Sequence, residues 1–153
     1  MKSLSVAGAV VALSAVVVVA AAAATSAVLA QAQNVITVAV EGLRNDQGSV
    51  RCGLYNSPVG FREPGKEFKG VAVPIRGGKA TCVFNDIPPG SYAVAVFHAE
   101  HNEEKLETGA FGRPKQGYGF SRDASGTFGP PGFDAAAYKY GGGPSLWPVH
   151  IQY

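Results

Sequence analysis

The sequence predicts an all-β fold, an antiparallel β-sandwich of about seven strands with one long ordered loop. Short runs of alternating apolar and polar residues recur along the chain, with turn-forming residues between them. The 20 glycines and 10 prolines are typical of a chain rich in turns. Beyond the first thirty residues, no ten-residue stretch has the apolar period of a helix, so no long amphipathic helix is predicted.

Residues 1–30 are predicted to be a secretory signal peptide, which leaves residues 31–153 as a single β-sandwich domain. Met1-Lys2 is a short positive start, and no charged residue occurs from Ser3 to Asn34. Val28-Leu29-Ala30 places small residues before a cleavage point. The alternative is an uncleaved anchor, because an apolar run above about 18 residues can span a bilayer. Cleavage predicts a periplasmic or secreted protein that does not stay on the membrane.

The charge balance argues against a nucleic-acid partner. The chain has 13 Lys and Arg residues against 11 Asp and Glu residues, a formal net charge of +2. The basic residues form no stripe, and the acidic residues form no block. The near neutrality therefore leaves small ligands, glycans and proteins as the expected partners.

Seven segments have the composition of strands. They are residues 35–43, 49–56, 69–76, 79–85, 92–98, 135–140 and 147–153. The first two are predicted to pair as a hairpin, and Gly77-Gly78 to form a two-residue hairpin turn. Pro74 and Pro148 place the third and last strands at sheet edges, because proline cannot donate to the ladder. The sixth segment fits either a strand or one helical turn.

The strand at residues 92–98 is predicted to lie in the middle of the fold. Pro88-Pro89-Gly90 cannot continue a helix or a ladder, so the chain reverses before this strand. Its two faces carry alternate side chains: Tyr92, Val94, Val96 and His98 on one, and Ala93, Ala95 and Phe97 on the other. Both faces are largely apolar, so both should be covered. Phe61, alone in a polar loop, is expected to plug the core.

The two cysteines, Cys52 and Cys82, both lie on the apolar register of a predicted strand. An oxidising compartment allows a disulfide between them. Such a bridge closes a loop of about 30 residues and contributes about 3–4 kcal/mol in the loop-entropy treatment. The alternative is two free, buried thiols that behave as small apolar residues.

The segment 99–132 has no predicted strand and is the candidate binding region. Its glycines allow close backbone approach, and it mixes aromatic rings with basic side chains, a combination that suits sugars, peptides or anionic groups. The candidate binding residues are His98, Arg113, Lys115, Tyr118, Phe120, Ser121, Phe128 and Phe133. The alternative is an Ω-like loop whose aromatic residues fill the open end of the sandwich.

Metal binding and catalysis are weighed and not predicted. His98, His101 and Glu104 are weak candidates for a zinc site, because a His-x-x-His pair needs a third fixed ligand. The alternative for His98 is a hydrogen bond to backbone at the end of its strand. No Gly-x-Ser-x-Gly motif is present, and Ser121 near Asp123 is ordinary turn chemistry. No cofactor is expected.

Five motifs together resemble a bacterial exported family catalogued as domain of unknown function 2141. They are Glu41-Gly42-Leu43-Arg44-Asn45 with Gly48, Leu54-Tyr55-Asn56-Ser57 with Gly60-Phe61, Asp86-Ile87-Pro88-Pro89-Gly90-Ser91-Tyr92-Ala93-Val94 with His98, Gly112-Arg113-Pro114-Lys115 with Gly117-Tyr118-Gly119-Phe120-Ser121, and Phe128-Gly129-Pro130-Pro131 with Phe133. The Pro-Pro-Gly-x-Tyr turn is similar to turns of carboxypeptidase-regulatory-like and transthyretin-like sandwiches. This resemblance implies an Ig-like (transthyretin/prealbumin-like) arrangement of the strands.

The chain departs from this family after His98. The family often has an acidic run there that is rich in Asn and Gly and resembles a cation-binding loop. Here Ala99 stands where an Asp is expected, and the glycines are missing. Calcium requires several oxygen ligands on a sharply turning backbone, so calcium binding is not predicted.

The expected function is that of an exported, non-catalytic protein of the cell envelope. It would bind a small ligand, a glycan or a protein partner through the long loop after the central strand. One alternative is a metal-dependent or hydrolytic enzyme that uses His98, His101 and the nearby glutamates. The other is a purely structural envelope protein.

Overall fold

The fold is described from a computed structural model, which describes residues 34–153. The predicted signal peptide at residues 1–30 lies outside this part of the chain. Within residues 34–153 there is no helix long and apolar enough to cross a membrane.

Within residues 34–153 the fold consists of eight short strands, one more than the sequence predicts. They are β1 (Ile36–Glu41), β2 (Ser49–Tyr55), β3 (Lys69–Pro74), β4 (Ala80–Phe84), β5 (Gly90–Ala99), β6 (Tyr118–Phe120), β7 (Tyr138–Tyr140) and β8 (Ser145–His150). The extra strand is β6, so the prediction that residues 99–132 contain no strand is wrong. The sixth predicted segment contains both alternatives, because a helical turn at Phe133–Ala136 runs directly into β7.

The strands form two sheets, which confirms the all-β sandwich. The small sheet has the order β4-β1-β8, and the large sheet has the order β3-β2-β5-β6, with β7 paired to the start of β5. The strand pairs of residues 34–153 are antiparallel, as predicted, except β1 and β8, which run parallel. A parallel pair needs a long crossover, and nearly the whole domain lies between these two strands. Pro74 and Pro148 lie on edge strands, as predicted.

The predicted hairpin of β1 and β2 is wrong, because the two strands belong to different sheets. The turn between them packs against the end of β5 instead of reversing within one sheet. Gly48 lies so close that an added Cβ would approach the Ala99 carbonyl oxygen to 1.9 Å. The Gly77-Gly78 turn does form, with both residues at positive φ, but β3 and β4 then diverge into different sheets.

The main core lies between the two sheets. Its centre is formed by fully buried side chains from both sheets: Val38, Val40, Val50, Leu54, Phe84, Val94 and Val149. The disulfide between Cys52 on β2 and Cys82 on β4 crosses this core, which confirms the predicted bridge. The bridge therefore ties the large sheet to the small sheet.

A second apolar cluster covers part of the outer face of the large sheet. It contains Tyr55, Phe61, Ala93, Phe120, Phe133 and Ala136. The ring of Phe61 packs edge-on against those of Tyr55 and Phe133, at centroid distances of 5.3 and 5.7 Å. Phe61 therefore anchors its loop in this cluster rather than in the core between the sheets. The cluster covers the outer face of β5 at Ala93, whereas Ala95 and Phe97 are partly exposed, so the prediction that both faces of this strand are covered is confirmed only in part.

Candidate functional site

A groove of about 640 Å³ lies on the outer face of the large sheet, beside the second cluster. Its floor is formed by outward-facing residues of β3, β2, β5 and β6. Two loops, from residues 62–67 and 104–114, supply its walls. The volume falls in the range of about 300–1,000 Å³ that is usual for small-molecule sites. This groove is the candidate functional site.

Small residues make the middle of the floor smooth. Gly53 on β2 stands opposite Gly70 on β3 and opposite Ala95 on β5, so the three lie in one row across the sheet. Two side chains lie flat on the glycines. An added Cβ at Gly53 would come within 2.9 Å of the Tyr55 ring, and one at Gly70 within 3.3 Å of Glu67. The glycines therefore let Tyr55 and Glu67 extend along the groove.

The neighbouring row carries the larger groups. Arg51 on β2 stands opposite Ala72 on β3 and opposite Phe97 on β5, and Phe97 stands opposite Tyr118 on β6. Phe97 and Tyr118 are both partly exposed and lie side by side on the same face. The row therefore places a guanidinium group beside a surface of two aromatic rings.

Two polar atoms of the groove are buried without a partner. Arg51 Nε and Glu67 Oε2 have no hydrogen-bond partner within residues 34–153, and so they do not satisfy each other. Leaving a buried donor or acceptor unpaired costs about 1–3 kcal/mol for each group. Among the described residues, the groove thus holds one buried donor and one buried acceptor without a partner.

Tyr55 adds a hydroxyl group to the same surface. Its hydroxyl donates weakly to the Glu63 carbonyl at 3.5 Å. Burial, reinforced by the negative charge of Glu67, raises the pKa of Tyr55 to about 12. The hydroxyl is therefore protonated at neutral pH and remains able to donate.

His98 lies outside the groove and is fully buried at the end of β5. Its Nε2 is 2.8 Å from the Gln47 carbonyl oxygen, and its Nδ1 is 2.6 Å from the Tyr153 hydroxyl. Because a carbonyl only accepts, Nε2 donates to Gln47, and in the tautomer that this contact selects Nδ1 accepts from the Tyr153 hydroxyl. The Tyr153 hydroxyl in turn accepts from the Arg44 backbone N–H at 3.1 Å. The backbone hydrogen bond considered for His98 is therefore present.

Next to His98, Glu100 is held by Arg44 and Asn45. Arg44 donates from Nε and Nη2 to the two carboxylate oxygens at 2.6 and 2.5 Å, and Asn45 donates at 2.9 Å. The Arg44 guanidinium also lies 4.6 Å from the centre of the Tyr153 ring. The hydrogen bonds from Arg44, followed by that from Asn45, lower the pKa of Glu100 to about 2 against the opposing effect of burial.

The Glu100 carboxylate should make the fold sensitive to acid. The pKa of Glu100 is depressed in the folded state. Its carboxylate therefore contributes fully to stability above about pH 4.5, and this contribution is lost as the pH falls towards about 2. Denaturant unfolding from pH 7 to pH 2 should show a smaller loss of stability across this window for Glu100→Gln than for the unchanged protein. Glu104→Gln, on an exposed glutamate of the same segment, is the control. Parallel pH profiles for Glu100→Gln and the unchanged protein would contradict the assignment.

The three weak metal candidates are not gathered at one point. His98 is buried against backbone, whereas His101 is exposed and contacts Glu103, with its Nδ1 3.3 Å from the carboxylate. Glu104 lies on the wall of the groove. Within residues 34–153, no three His, Cys, Asp or Glu side chains are grouped as a metal site would require.

Ser121 has a structural role, because the hydrogen bonds of its side chain are made to backbone groups. Its buried hydroxyl donates to the Ala136 carbonyl at 2.6 Å and accepts from the Val94 backbone N–H at 2.8 Å. Nearby, Asp123 accepts from the backbone and from the ring of His150, both on the exposed side of β8. These contacts fasten the turn after β6 to β5, to the helical turn and to β8.

The eight candidate binding residues are spread over several environments. Tyr118 and Phe120 line the groove. His98, Ser121 and Phe133 are buried, and Arg113, Lys115 and Phe128 are exposed, with Lys115 paired to Glu107 at 3.6 Å. The groove residues that the sequence analysis missed include Arg51, Tyr55, Glu67 and Phe97. The signal for Arg51 was its alternation with Cys52, which puts a charged side chain on the outer face of a strand.

Comparison with known proteins finds one family. A family model described as an uncharacterized protein conserved in bacteria (DUF2141) matches residues 38–145. No curated protein and no solved structure matches the chain. The matched region contains every residue of the groove named above.

Proposed function

The chain belongs to the DUF2141 family of proteins conserved in bacteria, and we propose that it is a non-catalytic binding protein of the cell envelope. Its ligand would lie in the groove on the outer face of the large sheet. The envelope location rests on the signal peptide predicted in residues 1–30. The binding role rests on the groove, which differs from the loop-centred site expected from the sequence, although both include Tyr118 and Phe120.

The observation that carries the proposal is the pair of unpaired buried atoms, Arg51 Nε and Glu67 Oε2. Most buried polar groups of folded proteins have a partner, so two such atoms in one groove call for an explanation. A ligand that offers an acceptor to Arg51 and a donor to Glu67 would satisfy both. The aromatic surface of Phe97 and Tyr118 would add apolar contact to the same ligand.

The groups that support binding also favour a non-catalytic role. The Tyr55 hydroxyl is held in its protonated form, which suits hydrogen bonding rather than attack on a substrate. The two side chains most suited to acid–base or nucleophilic chemistry in the sequence analysis, His98 and Ser121, are fully buried and bonded to backbone. A binding site without chemistry is the function that this arrangement supports best.

The proposal is tested by ligand screening of the purified protein with amide chemical-shift mapping. A library of small polar molecules should yield ligands whose shift changes centre on Gly53, Gly70 and Ala95. Arg51→Ala should lower the affinity for such a ligand by about tenfold or more, since a hydrogen bond to a charged group contributes about 1.5–3 kcal/mol. Arg76→Ala, on an exposed arginine outside the groove, should leave the affinity unchanged.

Two outcomes would contradict the proposal. One is a library that yields no ligand with shifts in the groove. The other is a ligand whose affinity falls equally with Arg51→Ala and Arg76→Ala, because binding would then depend on net charge rather than on the groove.

A further inference from the structure

We propose that the ligand of the groove is an uncharged saccharide chain of more than one sugar unit. This inference rests on the proposed function, because it names the chemical class that the same groove would hold. It follows from four properties of the groove: its charge balance, its unpaired polar atoms, its aromatic surface and its length.

The charges that line the groove nearly cancel. Arg51, Arg62 and Lys105 are basic, whereas Glu67 and Glu104 are acidic. A site for phosphate or for a polyanion would show an excess of basic side chains, and a site for a cation would show the reverse. The balance therefore favours a ligand without net charge.

The two unpaired atoms require opposite partners. Arg51 Nε is a donor and needs an acceptor, whereas Glu67 Oε2 is an acceptor and needs a donor. A hydroxyl group does both, and the hydroxyl groups of a sugar ring lie on neighbouring carbons. A saccharide can therefore offer an oxygen to Arg51 and a hydroxyl hydrogen to Glu67.

Phe97 and Tyr118 supply the apolar surface of the groove. They are opposite each other on β5 and β6, both are partly exposed, and both line the groove together with Arg51. The Tyr118 ring packs edge-to-face against that of Phe120, at a centroid distance of 5.9 Å. A sugar ring has one face that carries mainly C–H groups, which packs on aromatic rings while its hydroxyl groups reach the polar side chains.

The groove is longer than one ring. It crosses the four strands β3, β2, β5 and β6. Because neighbouring strands are about 4.8 Å apart, the groove is about 14 Å long in the direction across the strands. This length favours a chain of units over a single amino acid or monosaccharide. An extended peptide fits less well, because the backbone groups of the floor are already paired in the sheet. Each peptide unit would bring a donor and an acceptor of its own that the groove does not match.

The test is a binding titration of the purified protein with defined trisaccharides, followed by amide shifts and calorimetry. The probes are cellotriose, maltotriose, mannotriose and triacetylchitotriose, with the matching monosaccharides. Trigalacturonic acid is the anionic comparison and trialanine the peptide comparison. We expect at least one neutral trisaccharide to bind in the groove more tightly than its monosaccharide, and both comparison ligands to bind about tenfold more weakly or not at all.

Variants connect the binding to the aromatic surface. Phe97→Ala and Tyr118→Ala should each lower the affinity for the trisaccharide by about tenfold or more. Phe128→Ala, which replaces an exposed ring, should leave the affinity unchanged. Ala95→Leu is the second test, because it raises the floor without removing any polar or aromatic group. It should abolish trisaccharide binding while the amide spectrum shows a folded protein.

The outcomes separate this inference from the proposed function. If trialanine or another non-sugar molecule binds in the groove and no neutral trisaccharide does, the saccharide inference is overturned and the binding function stands. If a trisaccharide binds but Ala95→Leu leaves its affinity unchanged, the inference is overturned because the site lies elsewhere. If no small molecule shifts the groove amides, both proposals fail.

Discussion

Replacement of Cys52 and Cys82 together by alanine is expected to lower the free energy of unfolding by about 3–4 kcal/mol. The bridge spans 30 positions of sequence and joins β2 of the large sheet to β4 of the small sheet. Without it, the unfolded chain gains the freedom that a closed loop of this length removes. Denaturant unfolding of the oxidised protein and of the double variant, monitored by the signal of Trp147 in the core, measures the difference.

The same experiment with a reducing agent is the control for the bridge itself. Reduction should shift the unfolding midpoint of the unchanged protein towards that of the double variant. The double variant, which has no thiols, should be insensitive to the reductant. Equal midpoints for the unchanged protein with and without reductant would show that the bridge does not contribute to stability.

Ser121→Ala should lower the stability of the domain by about 2–6 kcal/mol, the sum expected for two buried groups left unpaired. The variant removes the oxygen that accepts from the Val94 N–H and the hydrogen that is donated to the Ala136 carbonyl. Both groups lie in the interior, where water does not replace the lost partner. The midpoint of thermal or denaturant unfolding measures the loss.

Ser125→Ala is the matched control, because Ser125 is an exposed serine on the same segment. It should change stability by less than about 0.5 kcal/mol, as is usual for surface substitutions. If Ser121→Ala instead weakened a groove ligand and left stability intact, Ser121 would be the ligand contact that the sequence analysis predicted.

Period-two alternation was enough to assign the inner faces of the strands. Val50, Cys52 and Leu54 alternate with outward residues along β2, and all three are buried as predicted. The pattern is reliable here because one face of each strand is buried between the sheets, where apolar side chains are favoured. The same alternation predicted that Cys52 and Cys82 point inwards, from which the disulfide followed.

Strand pairing was less predictable, because it depends on contacts far apart in sequence. The turn between β1 and β2 has the composition of a hairpin loop, yet Gln47 is bonded to His98 and Gly48 packs on Ala99. These contacts hold the turn against the end of β5, so that β1 lies in the small sheet and β2 in the large sheet. Strand β6 was missed for a local reason, since it has only three residues and a glycine at its centre.

The groove was predictable only in part, because it too depends on strand pairing between residues far apart in sequence. Arg51 and Glu67 belong to different elements and face one groove only because β2 pairs with β3. Nothing in the residues around either position marks the other as its neighbour. Tyr118 and Phe120 were identified because a long segment rich in aromatic and glycine residues is itself a signal. The remaining candidates of that segment proved to be buried supports or exposed side chains.

The parallel pairing of β1 with β8 constrains the order of events in folding. Ile36 is matched with Ser145, more than a hundred positions away, so the middle strand of the small sheet lacks one neighbour until the last strand arrives. Contacts of such long range slow folding, because the chain must lose much of its freedom before they form. We therefore infer that the small sheet closes late, on the millisecond-to-second timescale usual for β-sandwiches. Until then, β1 would present an open edge to other chains, so aggregation during refolding should rise with protein concentration.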